Sequence, residues 1–177
     1  VARALIVGCG GRGQALASEL VALGLAVRGT TRSAENFAAI AETGAEPVLA
    51  DPDRVGTLFA QFPAVTVACW LMGTANGTAS EIAALYGPRL SAFLEKVVDS
   101  PVRGVVVETA GTVDPELLEA GGQALLETAD VFSIPCVVLD TDPADRAAWL
   151  AAATTAVTDL AAGRVHPGRP GSPRSLR

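Results

Sequence analysis

Gly8-Cys9-Gly10-Gly11-Arg12-Gly13 constrains the fold of this chain more than any other stretch. It spells G-x-G-x-x-G directly after the apolar run Ala4-Leu5-Ile6-Val7 and opens an amphipathic segment that begins near Gln14. A strand that turns sharply into a helix on glycines is the opening of a β-α-β unit. The remainder of the sequence continues the pattern. Strand-like runs fall at Ala4–Val7, Ala26–Thr30, Pro47–Leu49, Val65–Trp70, Gly104–Thr109 and Cys136–Asp140. Most are continuous Val, Ile, Leu and Ala rather than alternating, the pattern of strands covered on both faces. Helical segments lie between and after them, near Gly13–Leu23, Ala34–Thr43, Arg54–Gln61, Thr78–Val98, Pro115–Thr128 and Pro143–Ala162. Repeated β-α units with right-handed crossovers predict an α/β fold. It is a doubly wound, six-stranded parallel sheet in the order 3-2-1-4-5-6 between two helix layers.

Local signals mark the helix boundaries. Asp51-Pro52, Asp114-Pro115 and Asp142-Pro143 each offer an N-cap aspartate followed by proline at the first helical position. Leu23-Gly24 and Thr43-Gly44 read as glycine stops. The chain divides into a folded domain over 1–162 and a basic tail over 163–177. That tail carries Arg164, Arg169, Arg174 and Arg177, no acid, and three prolines.

Half of the 177 residues are hydrophobic, enough for a substantial core in one domain. The formal net charge of −6 argues against a nucleic-acid-binding surface. No apolar run is long and leucine-rich enough to span a bilayer, and the N-terminus lacks the layout of a signal peptide. These readings make the cytoplasm the expected location. Cys9, Cys69 and Cys136 have neither metal nor disulfide spacing and read as reduced, packed thiols. No Ser-His-Asp, Cys-His or metal cluster can be assembled; the only histidine, His166, lies in the tail.

The glycine turn has a chemical reading. Gly8 permits the tight turn, Gly10 lets a pyrophosphate approach the backbone, and Gly13 lets the helix pack close to the sheet. The helix start supplies unpaired N–H groups and partial positive charge to the phosphates, with Gly11 and Arg12 in the same turn. The end of the second strand chooses the nucleotide. NAD binders place an acid there; this sequence has Gly29-Thr30-Thr31-Arg32-Ser33. Arg32 can fork onto a 2′-phosphate, with Thr31 and Ser33 donating beside it, so NADP is favoured over NAD. Arg32 as a solvated loop residue and Ser33 as a helix cap is the plainer alternative, and Glu35 nearby keeps NAD open. Arg12 is placed to stack on adenine or add charge. Asp51 reads equally as a partner for the adenine amino group and as an N-cap. Trp70 and Leu71 end the fourth strand, over the ribose and nicotinamide half. There a tryptophan either walls the pocket or packs in the core.

Val7 through Gly13, Gly29-Thr30-Thr31-Arg32 and Asp51 together resemble the extended or atypical short-chain dehydrogenase/reductase superfamily, in particular its NAD(P)-dependent epimerase-like members. The resemblance runs to about Asp140. It implies a Rossmann fold and a nicotinamide dinucleotide, and it is unspecific for substrate. Members usually carry a Tyr and a Lys four residues apart on one helix face. This chain has one tyrosine, Tyr86, and one lysine, Lys96, ten residues apart. If both lie on one helix they stand about 15 Å apart along its axis. Extended members also add a substrate domain after the sheet, and no such stretch follows the sixth strand here. Thr109 sits where related enzymes place a Ser or Thr that bonds a substrate carbonyl, a strand-end threonine with no chemistry being the plainer alternative, and Glu108 before it points to the opposite face in a regular strand. Asp140 and Asp142 lie far from the expected cofactor position.

Two functions are therefore expected with equal weight. One is an NADP(H)-dependent oxidoreductase-like protein acting on a small molecule without the Tyr-Lys pair. The other is a non-catalytic dinucleotide-binding redox sensor or partner-binding module. Thr78–Val98 and Pro115–Thr128 are natural homodimer surfaces, through which a partner copy would complete the site.

Overall fold

The computed structural model describes residues 1–166; the remaining part of the basic tail lies outside the described residues. Six parallel strands form one sheet in the order β3-β2-β1-β4-β5-β6. They are β1 (Arg3–Val7), β2 (Ala26–Thr31), β3 (Glu46–Leu49), β4 (Val67–Trp70), β5 (Gly104–Glu108) and β6 (Cys136–Leu139). β1, β4, β5 and β6 are mainly continuous apolar runs, whereas β2 carries Arg28, Thr30 and Thr31 and β3 begins on Glu46; β4 and β5 are buried at every residue. The expected topology holds.

The helices are α1 (Gly11–Ala22), α2 (Phe37–Glu42), α3 (Val55–Phe59), α4 (Ala79–Tyr86), α5 (Pro88–Val98), α6 (Pro115–Phe132) and α7 (Arg146–Ala161). The single helix expected over Thr78–Val98 is two. Pro88 lacks an N–H and disfavours helical backbone at the residue before it, and Gly87 leaves the helical region at φ −115° and ψ −108°. Thr78 and Glu81 close a reciprocal capping box at the start of α4. Of the three Asp-Pro starts, only Asp114 caps its helix. Asp51 and Asp142 instead accept from the amides of Asp53 and Ala144 in turns ahead of α3 and α7, and Asp145 caps α7. Gly24 and Gly44 follow their helices at φ +88°, the left-handed conformation of a glycine stop.

The sheet has a core on each face. On one, Leu5, Val7, Ala68, Trp70, Val105 and Val107 meet α3 to α6. On the other, Ile6, Cys69, Val106 and Leu139 meet α1, α2 and α7. The register aligns Val7 with Trp70 and Trp70 with Val107, so strand alternation sends all three side chains to the first face. Trp70 is consequently fully buried, with its ring 5.0 Å from that of Phe93. It is part of the core, and its neighbour Leu71 belongs to the core on the other face and borders the two clefts over the glycine turn.

Candidate nucleotide site and the buried glutamate

Strand order reverses between β1 and β4, so the loops after these strands diverge and leave a crevice at the carboxyl edge of the sheet. The glycine turn forms its floor. Gly8 has φ +86°, and a Cβ on it would lie 2.6 Å from the Leu71 carbonyl oxygen, so no other residue fits without displacing the next loop. At Gly13 a Cβ would meet the Gly8 oxygen at 3.0 Å, which lets α1 lie close to the strand. Gly10 and Gly11 face open space. The Gln14 amide already bonds back to the Gly10 carbonyl, and those of Gly11, Arg12 and Gly13 meet no loop acceptor among the described residues. They are the free N–H groups of a helix start, beside an approach that no side chain blocks.

Two clefts join over this turn. The first, about 420 Å³, runs from Thr30, Thr31, Arg32 and Asn36 across the turn to Leu71–Asn76. Arg32 is exposed there and makes no ion pair or hydrogen bond among the described residues. Thr31 is differently placed from its expected role. Its hydroxyl is engaged with both backbone groups of Ser33 and with the Asn36 amide, which locks the turn after β2. Ser33 caps the short 3-10 turn Ala34–Asn36 and does not line the cleft. Nor does Asp51, whose carboxylate turns back to its own loop while Pro52 and Asp53 line the wall.

The second cleft, about 660 Å³, lies on the other side of the turn, between Arg12, Thr112, Asp142, Pro143, Arg146 and Leu150; Asp142, expected far from the turn, is brought beside it because the loop after β6 reaches over the same edge of the sheet. Arg12 points into this half, away from the Thr30–Asn36 end of the first cleft. Its guanidinium forms a two-pronged ion pair with Glu108 through Nη1 and Nη2, the latter at 3.0 Å. It also donates to Thr74 Oγ1 at 2.9 Å and lies 4.7 Å over the Trp149 ring. Glu108 has no solvent exposure. The Gly73 amide and the Trp149 indole N–H each reach its carboxylate at 2.7 Å. A buried carboxylate is tolerated only with its oxygens satisfied, and here Arg12, Gly73 and Trp149 supply four donor contacts.

Glu108 and Thr109 point to opposite faces, as strand alternation requires. Thr109 consequently opens onto a third cleft with Glu119, Gly122, Asp140 and Asp142, apart from the glycine turn. Tyr86 is buried and its hydroxyl donates to the Glu108 backbone oxygen at 2.7 Å. Burial, and then the Glu108 charge, raises its pKa above the ordinary tyrosine value. Lys96 is exposed on α5 with its ammonium 5.6 Å from the Phe59 ring. The two do not form a dyad. Residues without an obvious local signal, namely Glu108 as an anchor, Asn36, Thr74 and Trp149, complete the arrangement.

The sheet order and the glycine turn at its switch point define a Rossmann fold. No protein-family model matches the chain, and no curated protein matches it by sequence. Solved structures do match in fold. One is a short-chain dehydrogenase/reductase superfamily protein from Agrobacterium tumefaciens with bound NAD. It is 15% identical with a TM-score of 0.63, over 77% of this chain and 48% of that one. The Citrobacter sp. triphenylmethane reductase complexed with NADP(H) is 16% identical at a TM-score of 0.60, over 80% and 49%. The UDP-glucose 4-epimerase of Thermotoga maritima is 12% identical at 0.64, over 77% and 54%. At such identities the likeness establishes the fold. The chain spans about half the length of each of these three proteins.

Proposed function

We propose that this protein binds NADP(H) across the glycine turn, as an oxidoreductase-like protein without the Tyr-Lys pair. The observation that carries the reading is the pairing of two features along one cleft. The α1 start offers open N–H groups beside Gly10, suited to a diphosphate. Among the described residues Arg32 has no protein partner; it stands at the end of β2, where the residues that distinguish a ribose hydroxyl from a 2′-phosphate are found in this fold. With Thr31 and Ser33 engaged in the turn, Arg32 is the principal group for the 2′-phosphate. When bound, the nicotinamide supplies hydride chemistry; the chain supplies binding and orientation.

Calorimetric titration tests this. NADPH should bind at least tenfold more tightly than NADH, and Arg32→Ala should remove that difference while leaving NADH binding unchanged. Equal affinities in the unaltered protein, or no effect of Arg32→Ala, would overturn the assignment.

One observation favours a second reading, a non-catalytic redox sensor. The Tyr86 hydroxyl is held inside the protein on a backbone oxygen, withdrawn from proton transfer. This reading expects NADP⁺ and NADPH to bind with different affinities and no acceptor to be turned over.

A further inference from the structure

The Arg12–Glu108 pair takes no part in the reading above, which uses Arg32 and the α1 amides. Its construction is unusual for a structural tie. Glu108 fixes the guanidinium plane through both Nη atoms, Thr74 engages the second Nη2 hydrogen, and the Trp149 ring supports one face. An arginine has five N–H groups. Three are engaged here, so Nε–H and one Nη1–H have no protein acceptor among the described residues. The side chain retains 21% exposure and lines the second cleft alone of the two candidate arginines in the turn and after β2. Gly8, Gly10, Gly11, Leu71 and Thr74 line both clefts, so a ligand crossing the turn passes from Arg32 to Arg12.

We propose that Arg12, positioned by Glu108, is a binding contact for the nicotinamide-side phosphate and ribose, and gives the protein its preference for a whole dinucleotide over the adenosine half. This rests on the NADP(H) reading. The pair is neutral overall, so the contact works through N–H groups oriented in advance rather than through net charge. A guanidinium held in this way loses little further freedom when a phosphate oxygen arrives. Arg146 adds a cation to the same cleft, and Asp142, which also lines it, adds an anion, so the oriented N–H groups of Arg12 rather than an excess of positive charge favour the phosphate.

The test compares NADPH with adenosine 2′,5′-bisphosphate, which carries the adenosine half and its 2′-phosphate alone. Calorimetry should give a clear preference for NADPH in the unaltered protein. Arg12→Met combined with Glu108→Gln removes both charges together, so no unpaired ion is left buried. In this variant the NADPH preference should fall about tenfold, the equivalent of one good hydrogen bond, with bisphosphate affinity unchanged. A folded double variant that keeps the original preference overturns the proposal. Should it fail to fold, Arg12→Lys decides. That variant keeps a cation against Glu108 but cannot form the two-pronged pair, and it should lose at least threefold of the preference. An unchanged ratio in Arg12→Lys overturns the proposal equally. If the unaltered protein binds the bisphosphate as tightly as NADPH, the Arg12 proposal fails while the adenosine-side reading stands. If it binds neither, both fail.

Discussion

A carboxylate taken wholly out of water survives only where the protein replaces its hydration, and Glu108 marks such a place at the end of β5. Its partners come from the glycine turn, the loop after β4 and α7, so one residue ties three separate segments to the edge of the sheet. The cysteines show the same physics without partners. Burial pushes the Cys9 and Cys69 thiols up to about 12 from 9.0, and raises Cys136 as well. Cys9 and Cys69 should therefore resist a thiol-directed disulfide reagent at pH 8 and react only on unfolding. The linkage has a definite sign. In the unfolded chain these thiols ionise near 9, while in the folded chain Cys9 and Cys69 keep their protons until about 12. Their contribution to stability is complete below pH 9 and is lost as the pH rises towards 12. Denaturant titrations across pH 7 to 11 should show a decline that begins near 9. A stability that stays level over that range, or rapid labelling of the folded protein, would contradict the buried-thiol assignment.

At the scale of elements, the loops after β4 and β5 meet backbone to backbone. Gly111 has φ +145°, and a Cβ on it would lie 2.0 Å from the Gly73 carbonyl oxygen; one on Gly73 would lie 2.1 Å from the Ala110 oxygen. Gly24 also has positive φ, at +88°, but opens onto empty space. The two positions separate backbone strain from steric clash. Gly24→Ala should cost about 1–2 kcal/mol, from conformation alone. Gly111→Ala should cost about 3 kcal/mol or more, because backbone cannot rotate out of the way. Equal losses in chemical denaturation would show that the loop contact is absent. What the sequence reveals divides along the same line. Helix stops at Gly24 and Gly44 are legible because a left-handed residue after a helix is a local demand. The break at Gly87-Pro88 also has a local signal, masked because the apolar pattern continues on both sides. The Gly73–Gly111 approach has none, since each glycine matters only through a loop far away in the chain.

For the whole molecule, the sheet order is legible from composition and alternation alone. Strands buried on both faces must be built almost entirely of apolar residues, and β4 and β5 are. The position of the glycine turn at the strand-order reversal follows from that topology. The placement of Arg32 and Arg12 in different clefts does not. Arg12 and Glu108 are 96 residues apart, and only the folded sheet brings the turn after β1 against the end of β5. Arg12 read by itself inside a glycine turn points towards the adenine; with Glu108 and Trp149 in place it faces the other half of the crevice. Trp70 is a similar case, since its register with Val7 and Val107 decides which face it takes.

The central claim is that the glycine turn and Arg32 hold NADP(H), and amide NMR of the isotopically labelled protein tests it position by position. Addition of NADPH should shift the Gly11, Arg12 and Gly13 amides at the start of α1, together with Arg32 after β2, while residues around the third cleft near Thr109 stay in place. Absence of any shift at saturating NADPH, or shifts confined to a site away from Gly8–Gly13, would contradict it.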